Sequence, residues 1–177
     1  MKKILSIVAV AAMLFFAGNA NAQMTFRAGY QNLNLEISGS GTTTYTNDGA
    51  DGFYVGLDYN INLSSAGFGV APGVNFSYFS DMMDVRVPVI FNWSEDVGNI
   101  ILGVGLGPIF TYGLGGEMYS DYGTKRFDFA VGAMIWLGYK QVRLEGGYDY
   151  GLLNRFDGTG GYKWTFNRFF VGLGYTL

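Results

Sequence analysis

Large apolar residues recur at every second position along most of the chain beyond residue 23. In residues 53–61, for example, Phe, Val, Leu, Tyr and Ile alternate with Tyr, Gly, Asp and Asn. Successive side chains of a β-strand point to opposite faces, so this period predicts strands rather than helices. It predicts eight strands, in residues 25–37, 53–61, 68–78, 85–93, 100–112, 127–137, 142–150 and 169–177.

The first predicted strand has an irregularity. Its apolar face changes parity at Asn32, beyond which Leu33, Leu35 and Ile37 take the opposite face. Such a change is typical of a β-bulge, and it also occurs where a strand leaves the membrane. We expect one of these two features here.

The two faces of the predicted strands differ in a way that favours a membrane barrel. One face is almost entirely large and apolar, whereas the other consists mainly of Gly, Ala, Asn, Ser, Asp and Arg. Inward faces so rich in glycine would not fill a soluble core to the usual packing density. An apolar band facing lipid around a small, polar lumen fits the pattern. Because unpaired backbone is costly in lipid, the strands must close. The predicted fold class is an all-β, eight-stranded, antiparallel, up-and-down transmembrane β-barrel.

The first 22 residues have the features of a cleavable signal peptide. Two lysines precede an apolar run over residues 4–17, and Ala20 and Ala22 form the small-residue motif that signal peptidase recognises. The apolar run is shorter than the roughly 20 residues of a membrane-spanning helix. We therefore predict a signal peptide in residues 1–22 and one barrel domain in residues 23–177.

The connections between the predicted strands fall into two classes. Long connections are expected in residues 38–52, 113–126 and 152–165, and short ones in residues 62–67, 94–99 and 138–141. Residues 80–84 are an exception, because this connection is short where a long one is expected. Outer-membrane barrels have short turns on the periplasmic side and longer loops outside. Both termini are therefore expected on the periplasmic side.

The composition excludes several kinds of active site. The chain has no His and no Cys, which excludes Ser-His-Asp and Cys-His nucleophilic sites and most zinc sites. We expect no enzyme activity, no cofactor and no metal site, and a hydrolase that uses only carboxylates is the alternative. With 14 acidic and 11 basic residues, the chain is also unsuited to nucleic acid.

Seven charged residues are expected on the lumen faces of the strands. They are Arg27, Asp58, Arg86, Asp128, Arg143, Glu145 and Asp149. The interior of an eight-stranded barrel just accommodates side chains, so opposite charges there should pair and fill it. We expect Arg86 and Arg143 to pair with Glu145, Asp128 or Asp149. An aqueous channel is the alternative.

The predicted outer loops are rich in aromatic and acidic residues. The candidates for surface contact are Tyr45, Tyr119, Asp121, Tyr122, Phe156, Tyr162 and Trp164, together with Glu117. Tyrosine-rich loops suit contact with a protein or a glycan. The alternative is that the aromatic residues anchor the barrel at the membrane interface and the acids are solvated.

All three prolines of the chain fall inside predicted strands, and these strands are consecutive. They are Pro72, Pro88 and Pro108. A closed barrel has no edge, so each proline should remove a ladder hydrogen bond or lie at a bulge. We interpret them as a soft seam, which could be a lateral exit for an apolar ligand, or as bulges that set curvature.

Four segments resemble the outer membrane protein beta-barrel domain family of Bacteroidetes-type bacteria, which is porin-like and OmpX/OmpA-like in architecture. They are VRVPV in residues 85–89, GLGP in residues 105–108, YGLLN in residues 150–154 and FFVGLGY in residues 169–175. The resemblance implies an outer-membrane barrel, mostly without assigned activity. Its expected partners are outer-membrane lipid, lipopolysaccharide and the barrel insertion machinery, and it is expected to be a monomer.

The pattern and the resemblance lead to one expected function with one alternative. We expect a small non-enzymatic outer-membrane barrel with a structural or surface-interaction, adhesion-like role towards a protein or glycan ligand. The alternative is a carrier or narrow channel for small or hydrophobic molecules.

Overall fold

The computed structural model describes residues 22–39, 42–120, 124–156 and 162–177, and they form a closed barrel of eight antiparallel strands. The strands are β1 Ala22–Gly39, β2 Thr42–Asn62, β3 Phe68–Phe79, β4 Met82–Val97, β5 Ile100–Gly115, β6 Phe127–Tyr139, β7 Val142–Gly151 and β8 Tyr162–Thr176. Each strand pairs with the next along the chain, and β8 pairs with β1. A short helix, α1 (Glu117–Ser120), follows β5. The predicted all-β barrel is confirmed, whereas the predicted signal peptide lies outside the described residues, apart from Ala22.

The alternation along each strand separates a lipid-facing surface from the lumen. On β6, for example, Ile135 is 66% exposed and the preceding Met134 is 7% exposed. Large apolar side chains such as Phe53, Leu106 and Phe169 cover the outside of the barrel. This arrangement is that of a transmembrane barrel, with an apolar band outside and polar groups inside. Among the described residues, no helix is long and apolar enough to cross a membrane.

The two ends of the barrel differ in their connections. At one end, hereafter the short-turn end, the strands are joined through residues 63–67, 98–99 and 140–141, and the described chain begins and ends there. At the other end, hereafter the loop end, longer connections follow β5 and β7. The predicted loop in residues 38–52 is instead mostly a hairpin, because β1 and β2 continue to pair up to Gly39 and Thr42.

The predicted change of parity at Asn32 is only partly correct. Leu33 is 5% exposed and points into the lumen, on the same face as Gln31. The lumen face of β1 therefore continues past Asn32, and its buried side chains change from the polar Gln31 to the apolar Leu33. A register shift does occur in the β1–β2 ladder, between Leu33 and Leu35.

Each proline interrupts the ladder to the preceding strand. The β2–β3 ladder omits two pairs, opposite Pro72 and Ala71. The β3–β4 ladder omits two pairs at Pro88, and the β4–β5 ladder omits two pairs at Pro108. Proline has no N–H to donate, which explains the breaks. Pairing resumes in the same register beyond each break, so the interpretation of the prolines as bulges is wrong.

Candidate functional site

A cluster of charged residues, hereafter the central cluster, lies in the lumen on the inward faces of β1, β2 and β7. Glu145 accepts hydrogen bonds from Arg27 Nε at 2.6 Å, from the Tyr54 hydroxyl at 2.8 Å and from Arg143 Nε at 2.9 Å. Asp58 Oδ2 lies 2.5 Å from Arg143 Nη2 and 3.5 Å from Arg27 Nε. Two guanidinium groups therefore face two carboxylates, and the buried charge is balanced.

Two further ion pairs lie closer to the loop end. Arg86 Nη2 donates to Asp149 Oδ2. Arg168 Nη2 donates to Asp84 Oδ2 at 2.7 Å, and its Nη1 donates to the Ser77 hydroxyl at 3.1 Å. These side chains are at most 5% exposed, so the pairs fill the lumen rather than line an open channel.

A loop residue, Arg155, closes the lumen from the loop end and is 1% exposed. Its Nη2 donates to the Tyr119 hydroxyl and to the Lys125 carbonyl, both at 2.9 Å. Its Nη1 lies 3.5 Å from Asp128 Oδ2, and the guanidinium lies 4.7 Å from the centre of the Phe166 ring. Arg155, hereafter the clamp, thus joins the loops after β5 and β7 to the barrel wall.

An apolar cluster completes the closure at the loop end. It consists of Leu33, Phe79, Met82, Tyr119 and Phe166. Burial raises the pKa of the Tyr119 phenol, so its hydroxyl stays protonated while it accepts from the clamp. The two outer ion pairs, the clamp and this apolar cluster together form what is hereafter the plug.

Between the central cluster and the short-turn end lies a cavity of about 970 Å³. One of its walls is apolar and includes Ala71, Pro88, Ile90, Met134 and Trp136. The facing wall is polar and includes Thr25, Arg27, Asp58, Asn60 and Arg143. Towards the loop end, a second void beside Arg86 and Asp149 measures only about 10 Å³. The lumen is therefore hollow in one half and filled in the other.

Trp136 is one of the two tryptophans that line the cavity, the other being Trp93, and sequence reasoning did not single Trp136 out. Its indole lies flat against the backbone of Gly103, where an added Cβ would be 2.0 Å from Trp136 Cε2. The Arg143 guanidinium lies 5.8 Å from the indole ring centre. The alternation of β6 could have placed Trp136 in the lumen, because it shares its face with Met134.

The structure places all seven predicted lumen charges in ion pairs, although not in one network. Arg86 meets Asp149, Arg143 meets Glu145, and Asp128 meets the unforeseen Arg155. The residues that sequence reasoning missed are Tyr54, Asp84, Arg155 and Arg168. Asp84 and Arg168 would have been found by extending two strands, since both continue the lumen face. Arg155 lies in a loop and has no periodic signal.

The predicted surface contacts have a mixed outcome. The expectation that Tyr119 lies on an exposed loop is wrong, because it packs in the plug. Phe156 and Trp164 contact each other at the loop end, with ring centres 4.8 Å apart. Glu117 is exposed. Asp121 and Tyr122 lie outside the described residues, as do the side chains of Tyr45 and Tyr162.

In the part of the chain that the structure describes, no group of three His, Cys, Asp or Glu residues could hold a metal ion. The carboxylates of the lumen face arginines instead, as the ion pairs above show. The lumen carboxylates therefore neutralise fixed cations.

No protein-family model and no curated protein matches the chain. Among solved structures it is similar to the outer membrane enzyme PagL, with a TM-score of 0.61 at 7% identity, over 88% of this chain and 99% of that one. It is also similar to Neisserial surface protein A, with a TM-score of 0.48 at 13% identity, over 86% and 97%. For Ail, the attachment invasion locus protein of Yersinia pestis, the TM-score is 0.43 at 13% identity, over 89% and 99%. The likeness to PagL is one of fold.

Proposed function

We propose that this chain is a non-enzymatic protein of the outer membrane whose plugged barrel holds a surface platform for contact with a protein or glycan. The observation that carries the proposal is the clamp. Arg155 is a loop residue, yet its guanidinium is buried against Asp128 and Tyr119 and bonded to the Lys125 carbonyl. Buried contacts of this kind reduce the ordering cost that a flexible loop would have on binding.

The exposed part of the platform is an aromatic pair on an ordered backbone. The rings of Phe156 and Trp164 are tilted by 32° and are partly exposed. The side-chain oxygen of Asn154 accepts from both of their backbone N–H groups, at 3.0 and 2.9 Å. Aromatic residues are enriched where proteins contact partners, and a pair held in this way suits such a contact.

Two observations support a role without catalysis or conduction. The chain has no His or Cys, and each lumen carboxylate named above lies in an ion pair with an arginine. The plug fills the lumen at the loop end, which opposes the narrow channel considered as an alternative. A location in the outer membrane, reached through a cleaved signal peptide, belongs to the same proposal.

The test uses the purified barrel in lipid vesicles, applied to a glycan array and to an array of immobilised proteins. We expect binding to at least one of these surfaces, loss of it in Phe156→Ala/Trp164→Ala, and retention in the neighbouring control Lys163→Ala. In planar bilayers we expect no conductance steps. Absence of binding, or undiminished binding by the double variant, would contradict the proposal.

A further inference from the structure

The three ladder breaks and the cavity lie in the same part of the barrel wall. The omitted pairs are Tyr59–Pro72 and Asn60–Ala71, Gly73–Pro88 and Val74–Val87, and Val89–Pro108 and Ile90–Gly107. Residues at each break line the cavity: Asn60 and Ala71 at the first, Pro88 at the second and Ile90 at the third. The most weakly bonded part of the wall, hereafter the proline seam, therefore separates the cavity from lipid.

The proline seam has small side chains on its lumen face, and it is closed in this structure. Its lumen face carries small residues such as Ala71, Gly73 and Gly107. The strands touch there, because a Cβ added to Gly107 would lie 2.0 Å from the Val89 carbonyl oxygen. Closure thus depends on backbone contact with few ladder hydrogen bonds. Each of the three prolines removes one N–H donor from its own ladder. Opening the wall across these three adjacent ladders therefore breaks fewer hydrogen bonds than opening it elsewhere.

The cavity is amphipathic across its width, because its apolar wall faces a polar wall that includes Arg27, Asp58 and Arg143, and it is also polar at its mouth. Its apolar wall, with Ile90, Met134 and Trp136, lies at the depth of the seam, and its mouth at the short-turn end is lined by polar residues such as Asn62 and Lys140. An amphiphile in a bilayer likewise has its polar head at the interface and its tail towards the midplane. The volume of about 970 Å³ is within the usual range of ligand pockets.

We propose that the cavity binds one single-chain amphiphile, such as a fatty acid, and that this ligand exchanges laterally with the membrane through the proline seam. The tail lies along Ile90, Met134 and Trp136, and the head faces the mouth of the cavity. The plug prevents passage to the loop end, so the site holds a ligand of the membrane leaflet nearest the short-turn end. This inference stands independently of the surface platform.

Binding is measured by quenching of Trp136 fluorescence. The chain has three Trp residues, so Trp93→Phe/Trp164→Phe leaves Trp136 as the reporter. In phospholipid vesicles, added dibromostearic acid is expected to quench Trp136, because its bromines enter the cavity. A phospholipid brominated on both of its chains is expected to quench far less, because it stays outside the wall. Equal or absent quenching by the two probes would overturn the site.

The lateral route is tested by locking the seam in that reporter protein, which has no native cysteine. Val74 and Val87 face lipid across the β3–β4 break, so Val74→Cys/Val87→Cys should form a disulfide over it. The matched control is Val104→Cys/Ile135→Cys, at an intact lipid-facing pair of β5 and β6. Oxidation should abolish fast quenching in the first variant, with recovery on reduction, and should leave the control unchanged.

A second variant restores the missing donors without a crosslink. Pro72→Val/Pro88→Ala/Pro108→Val should slow the quenching of Trp136 and raise amide protection on β3, β4 and β5. If quenching is as fast in the locked seam as in the reduced protein, the ligand enters through the mouth and the lateral route is wrong. The locked variant keeps this outcome measurable even if the triple variant does not fold.

Discussion

The two halves of the lumen are built from the same eight strands, yet one is packed and the other is hollow. Towards the loop end, Arg86, Arg155 and Arg168 meet carboxylates and fill the space. Towards the short-turn end, Gly103 and Gly105 allow Trp136 and Ile90 to lie against the wall, where an added Cβ would clash with them. Glycine therefore makes room indirectly, by allowing large neighbours to lie flat.

The contrast teaches that an eight-stranded barrel is not filled or hollow by virtue of strand number alone. Its interior is wide enough for side chains, and the choice depends on whether long charged side chains reach across it. The ion pairs of the central cluster and the plug should therefore contribute more stability and loop order than the contacts in the hollow half do. Four variants test this difference.

The largest effect is expected at the boundary between the halves, in Glu145→Ala. The change leaves the guanidinium groups of Arg27 and Arg143 with Asp58 alone and removes the acceptor of the Tyr54 hydroxyl. Breaking a buried ion pair by removing one partner costs about 3–5 kcal/mol. We expect this loss in urea unfolding of the barrel in vesicles, whereas the exposed control Glu95→Gln should be neutral. An unchanged free energy of unfolding in Glu145→Ala would mean that the central cluster is hydrated and does not mark the boundary between the packed and hollow halves.

The clamp variant Arg155→Ala should mainly disturb the loop end. It removes the ion-pair partner of the buried Asp128 carboxylate and the two Arg155 donors to the Lys125 carbonyl, and a hydrogen bond that involves a charged group contributes about 1.5–3 kcal/mol. We expect faster cleavage of the outer loops by proteinase K and an unchanged cavity, read from Trp136 fluorescence. Lys163→Ala is the control for the loop end. Unchanged cleavage in Arg155→Ala would show that the loops are held by other contacts.

In the hollow half, Gly103→Ala should displace Trp136. The new methyl group would lie 2.0 Å from Trp136 Cε2, so the indole must move into the cavity, and overpacking costs about 1–3 kcal/mol. We expect a shift of the Trp136 emission maximum in the Trp93→Phe/Trp164→Phe protein. Gly138→Ala is the matched control, because its nearest contact, with Ile101, is an ordinary 3.4 Å. Identical spectra for the two variants would contradict the packing described.

The smallest effect is expected for Asn92→Ala, on the wall of the cavity. Asn92 Nδ2 donates to Asn60 Oδ1 at 2.8 Å, and a net hydrogen bond contributes only about 0.5–1.5 kcal/mol. Because the cavity opens at the short-turn end, water can replace the lost partner. The free energy of urea unfolding should fall by no more than this amount. A loss as large as that of Glu145→Ala would remove the distinction between the two halves.

Much of the fold follows from residue type and period alone. The alternation in residues 127–137 is enough to assign β6 and to tell its lipid face from its lumen face. The same alternation in β4 and β7 places Arg86, Glu145 and Asp149 inside the barrel. Strand ends were less predictable. Asp84 and Arg168 lie just outside the alternating segments, where backbone pairing rather than a hydrophobic pattern extends the strands.

Parity assigns a side chain to a face, but it does not determine height or angular position in the barrel. These depend on strand register and tilt, which bring Arg27 of β1 to Glu145 of β7, 118 residues apart in sequence. For the same reason no local pattern could place Arg155, whose position comes from loop closure. The barrel and its orientation to lipid are thus local properties of the chain, whereas the plug and the cavity arise from contacts between strands distant in sequence.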